Sequence, residues 1–205
     1  MFQTEFFSYL SLGFTHIADL DGYDHILFVT ALCALYELRD WRHLLWLVTA
    51  FTLGHSVTLA LSTLKIFSLP SEIVEFLIPI TIAVTAALNV VELQRGGAKD
   101  GDSWRLAPWQ EYGKYFAALV FGFIHGMGFS TFLKSLLGKE TSIALPLFAF
   151  NVGLEIGQIL IIACIMVLGI VATRLLRLAR RDWSLLLSGA AFGVACTLIL
   201  KNLPL

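Results

Sequence analysis

Charge is the scarcest feature of this sequence. Only 14% of its 205 residues are charged and 58% are apolar, with a net charge of −1. Soluble domains carry about 25% charge, and the mean hydropathy here is +0.80. A separate soluble domain has no room, so residues 1–205 read as a single transmembrane domain. No basic stripe is present to grip phosphate backbones, which excludes a nucleic-acid partner. The three cysteines, Cys33, Cys164 and Cys196, lie in apolar runs without CxxC spacing and read as small packing residues. No P-loop, GxSxG elbow or HExxH occurs, so the chain carries no ATPase of its own and none of the common hydrolase signatures. The N-terminal stretch has no positive n-region and no Ala-x-Ala site, and reads as a short amphipathic or re-entrant helix over 2–13 rather than a cleaved leader.

What the sequence does have is long apolar runs. A membrane span needs about 20 mostly apolar residues. Six candidates follow, over 23–38, 43–64, 70–93, 114–137, 143–173 and 183–201. The expected fold is all-α, a polytopic transmembrane bundle of about six spans plus the short N-terminal helix. Loops are short except 94–112, which carries Gly96, Gly97, Gly101 and Pro108 and reads as a linker. The odd-numbered loops hold Arg39, Arg42, Arg95, Lys99, Arg105, Lys114, Arg174, Arg177, Arg180 and Arg181. The opposite side holds only Lys65, Lys134, Lys139 and Lys201. The positive-inside rule then puts the first group in the cytoplasm and both termini outside, which in a bacterium means the periplasm or cell exterior. Trp41, Trp46, Trp104, Trp109 and Trp183 fall near the same predicted cytoplasmic interface, as an aromatic belt would.

Against this background, ionisable residues inside the spans stand out. Burying an Asp at a helix centre costs roughly 2.5–3.5 kcal/mol on insertion scales. His25, His55 and His125 sit inside expected spans and His16 just upstream, while His43 reads as a loop residue. The run from His16 to His25 also holds Asp19, Asp21 and Asp24. Helix capping accounts for Asp21 or Asp24, but not for imidazoles on both flanks. Glycines surround His125, and Gly122 and Gly126 form GxxxG; Gly54, Ser56 and Thr58 keep the surface around His55 small. In the fifth span, Asn151, Glu155 and Gln158 share one helical face. The expected orientation puts all of these groups between the outer surface and mid-membrane. Imidazole and carboxylate gathered in a dry bundle point to a metal ion, imidazole suiting zinc, copper, iron and nickel, or to a proton path. The candidate ligands are His16, Asp21, Asp24, His25, His55, His125 and Glu155, supported by Asn151 and Gln158. Thr81, Thr85 and Asn89 share a face of the third span and could line a polar path.

Four motifs in order carry a resemblance: His16 through Asp21-Gly22 to Asp24-His25; Phe51-Thr52-Leu53-Gly54-His55-Ser56-Val57-Thr58; Phe121-Gly122-Phe123-Ile124-His125-Gly126-Met127-Gly128-Phe129; and Phe150-Asn151-Val152-Gly153-Leu154-Glu155-Ile156-Gly157-Gln158. Over about residues 12–160 the chain resembles the HupE/UreJ family of bacterial membrane proteins, in its shorter branch without a cleaved leader. The resemblance implies an inner-membrane permease for nickel or cobalt, with His16, Asp24 and His25 as the first ligands met by the ion. A second reading stays open. Three histidines plus carboxylates also describe a catalytic zinc site with an open position for water. The chain would then be an intramembrane hydrolase or acyl-transfer enzyme acting on a lipid or lipidated substrate. Glu155, Asp21 or Asp24 would serve as its general base.

Overall fold

The computed structural model describes residues 2–95, 108–137 and 143–203. The described residues are all helical or connecting, with no strand. The helices are α1 (Phe2–Ile17), α2 (Asp24–Cys33), α3 (Trp41–Thr63), α4 (Ser71–Arg95), α5 (Pro108–Leu137), α6 (Ala144–Ile170) and α7 (Arg180–Lys201). A 3-10 turn, Leu38–Asp40, precedes α3, and a π turn, Val171–Leu175, extends α6. Among the described residues, four stretches are long and apolar enough to cross a membrane: Leu38–Thr63, Ser71–Gln94, Ala144–Leu175 and Arg180–Lys201. α5 has 30 residues. The expected linker 94–112, with Trp104, lies largely outside the described residues.

The first expected span, 23–38, does not form as one helix. α2 has only 10 residues, about 15 Å at 1.5 Å per residue, against roughly 30 Å of hydrocarbon. α1 runs further than the expected 2–13 and ends just past His16. Together the two make a broken span. Along α6, Phe148 meets Phe6, Gly153 meets the backbone of Leu10, and Gly157 meets Phe14 and Ile17. Further along, Ile165 and Met166 share a buried cluster with Val29 and Cys33. α1 and α2 therefore follow α6 in the same sense, interrupted at residues 18–23.

Ending helices within a bundle leaves backbone groups to satisfy. At the end of α2, the Asn89 amide donates to Ala31 O at 2.7 Å and the Arg180 guanidinium donates to Leu35 O at 3.0 Å. Asn89 therefore caps α2 rather than standing open on a path. Pro79, inside α4, cannot donate to the carbonyl four residues back. That carbonyl, Glu75 O, accepts from the Asn202 amide at 3.0 Å. The same bond brings the end of α7 beside the start of α4.

Two pairs of helices cross at glycine, with no room for a β-carbon. A Cβ on Gly13 would overlap Phe150 O, and one on Gly153 would overlap Leu10 O. Likewise Gly54 lies on the backbone of Leu119, and Gly122 and Gly126 lie on the backbones of Phe51 and His55. The GxxxG of α5 is thus the seat for α3 at His55.

The two ends of the bundle differ. At one, the starts of α1, α4 and α6 lie with the end of α7; this is the Asn202 end. At the other lie Arg39, Arg42, Lys114, Arg174, Arg177, Arg180 and Arg181; this is the basic end. His43, expected in a loop, stands in the first turn of α3 and bonds Tyr115 Oη at 2.9 Å.

Candidate metal centre

The break between α1 and α2 brings His16, at the end of one helix, beside His25, at the start of the next. Their ring centroids are 4.7 Å apart. His55 of α3 lies 6.0 Å from His16 and 6.1 Å from His25, and His125 of α5 lies 5.1 Å from His25. Among the described residues, two overlapping groups could each hold a metal ion: His16, His25 and His55, and Asp24, His25 and His125. In each group one ligand atom per residue lies within 4.8 Å of the others, and His25 belongs to both. His25, His55 and His125 are buried, while His16 and Asp24 are half-buried. Phe28, Phe51, Phe129 and Phe150 pack against the rings; Phe150 stacks on His55 at 6.2 Å and Phe129 lies 4.0 Å from His16.

Neighbouring hydrogen bonds set which nitrogen is free. Asp24 Oδ1 accepts from His25 Nδ1 at 3.1 Å and from the His25 backbone N–H at 2.9 Å. That leaves His25 Nε2 with its lone pair. The Thr81 hydroxyl donates to Ile78 O at 2.7 Å, so its oxygen accepts from His125 Nε2 at 3.0 Å. His125 Nδ1 is then the lone-pair nitrogen. His16 Nε2, His25 Nε2, both nitrogens of His55 and His125 Nδ1 are buried with no hydrogen-bond partner among the described residues. A buried, unpartnered polar group costs about 1–3 kcal/mol. Several at one point are better explained by a ligand than by packing.

Not every expected ligand joins these groups. Asp21 is exposed in the break, where its backbone N–H donates to Asp19 Oδ1 at 3.0 Å. It does not cap α2, whose N-cap is Tyr23. Glu155 lies further along α6 and accepts from the Thr49 hydroxyl at 2.7 Å. Gln158 is fully buried and its Oε1 accepts from Thr52 at 2.8 Å. The Asn151 amide turns back to Leu147 O at 2.8 Å. Three roles escape sequence reading: Thr81 as the partner of His125, and Thr49 and Thr52 as partners of the α6 carboxylate and amide. Their polarity is visible in the sequence, but the pairing exists only across the bundle.

A family model described as HupE / UreJ protein matches residues 1–201. The chain belongs to the HupE/UreJ family. Comparison with curated proteins and with solved structures gives no match. HupE/UreJ proteins are associated with nickel and cobalt transport. In this HupE/UreJ chain the motif histidines are the ones that the α1–α2 break and the glycine crossings bring together.

Proposed function

We propose that this protein is a divalent transition-metal permease, with nickel the favoured cargo, in a bacterial inner membrane. The observation that carries the reading is the set of buried, unpartnered imidazole nitrogens at a broken span. Discontinuous helices are a recurrent way to build ion sites in transporters, because irregular backbone is tolerated where it lines a site. Imidazole suits nickel, cobalt and zinc better than magnesium or calcium. The Asn202 end faces outward and the basic end faces the cytoplasm, in keeping with the Lys/Arg distribution. Because His25 belongs to both ligand groups, an ion can pass from one to the other with one ligand kept.

Beyond His55, toward the basic end, stand the Thr52–Gln158 and Thr49–Glu155 pairs. These are the next polar groups an inbound ion meets, and Glu155 supplies the carboxylate. The assay is metal uptake by proteoliposomes. Wild-type protein should move nickel or cobalt above empty vesicles, and Glu155→Gln should abolish flux while the histidine cluster keeps its metal.

One observation favours the second reading, a metal-dependent intramembrane enzyme. Phe28 and Phe51, both fully buried, form an apolar wall beside the histidines. Such a wall suits a dry catalytic pocket holding a metal-bound water. Protein that retains one ion through purification yet moves none would overturn the permease reading in favour of the enzyme.

A further inference from the structure

At the basic end, away from the histidines, a cavity of about 520 Å³ opens between the 3-10 turn, the end of α6 and the start of α7. Its polar lining includes Glu37, Arg39, Arg174, Arg180, Trp183 and Ser184. Its apolar side includes Met166 and Ile170. Three guanidiniums thus face one carboxylate. Glu37 pairs with Arg39 at 2.8 Å and with Arg180. The Arg174 side chain makes no ion pair or hydrogen bond among the described residues. The N-terminus of the 22-residue α7 opens on the same space and adds positive potential.

A second observation points to a ligand. Ser184 lines the cavity at 3% exposure, and its hydroxyl has no partner among the described residues. The π turn that ends α6 carries Arg174 to the cavity. Leu175 and Leu176 beside it are 75% and 65% exposed. The cavity therefore has a cationic, hydroxyl-bearing floor next to a greasy flank.

The geometry points to a binding site for an anionic phosphate headgroup, supplied by a membrane phospholipid whose acyl chains lie along the end of α6. Arg174 and Arg39 hold the phosphate, Ser184 donates a hydrogen bond, and Trp183 marks the interface depth. Basic pockets between helices on the cytoplasmic side suit such headgroups.

Native mass spectrometry of delipidated protein in neutral detergent tests this, with phosphatidylglycerol and phosphatidylcholine offered in equal amounts. Wild type should retain about one phosphatidylglycerol per chain, at least fivefold over phosphatidylcholine. Arg174→Ala should lower that retention about fivefold, as one basic side chain near an anionic headgroup is worth. Arg174→Glu should remove it. Arg174 is exposed, so folding should survive, and an unchanged melting profile checks it. Arg42→Ala, at the same end but outside the cavity, should change nothing. Equal retention of both lipids, or equal effects of Arg174→Ala and Arg42→Ala, would overturn the site. Adding millimolar inorganic phosphate separates the two sources of the anion: displacement of the lipid by phosphate alone would overturn the lipid assignment.

Discussion

The middle of the bundle and its basic end both gather ionisable side chains, yet treat them in opposite ways. At the basic end the more buried ones are matched: Lys114 with Glu92 at 2.7 Å, Arg180 with Glu37 and Leu35 O, His43 with Tyr115. Around the α1–α2 break the imidazoles keep their lone-pair nitrogens buried and unmatched. Matched groups hold elements together. Unmatched ones, placed where water is scarce, carry a cost that a bound ligand would relieve. The glycine crossings show how the fold sustains this cost, because backbones in contact fix His55 where a lone side chain would turn away.

The sharpest way to break the contrast is His25→Ala. His25 is shared by both ligand groups, so metal retention measured by elemental analysis should fall to background. His125→Ala, which spares the group of His16, His25 and His55, should keep part of it. Equal retention by both variants would show that His25 is not shared.

Gly122→Val should cost about 3 kcal/mol, the upper range for forcing added volume into packed backbone. The β-carbon has nowhere to go beside Phe51 O and the His55 backbone. Unfolding titrations in mixed micelles would measure it, and a wild-type midpoint would contradict the crossing. Thr81→Val leaves the chain folded but releases His125 Nε2. Metal affinity should then drop roughly 10- to 100-fold, as removal of a ligand's outer partner usually does, read by competition with a chromogenic chelator. Wild-type affinity would make Thr81 a bystander. The smallest effect is at the matched end. Lys114→Ala should cost roughly 1 kcal/mol of stability, since that pair is only partly buried. Its metal retention should stay at the wild-type level, and a loss there would erase the contrast between the two regions.

Much of this is legible in the residues. Apolar runs set the bounds of α3, α4, α6 and α7 within a few positions, because an uninterrupted run of that length has few other fates in a bilayer. The candidate ligands stand out because each breaks such a run. The early end of α2 does not stand out. From Ile26 to Leu35 only Thr30 is polar, and α2 stops at Cys33 because side chains from elsewhere, Asn89 and Arg180, satisfy carbonyls at its end. His43 reads as a loop residue because Arg39, Asp40 and Arg42 surround it, yet α3 begins at Trp41. Glu155 and Gln158 do lie on the face of α6 that their spacing implies. That their partners are Thr49 and Thr52 depends on how α3 and α6 cross, which helical periodicity does not encode.

X-ray absorption at the metal edge of zinc- or nickel-loaded wild-type protein tests the central claim most directly. The account predicts nitrogen scatterers with the multiple-scattering signature of at least two imidazoles, at about 2.0–2.1 Å for zinc. It also predicts that this signature disappears in His25→Ala. A bound ion ligated only by oxygen, with no imidazole signature in the wild type, would contradict it.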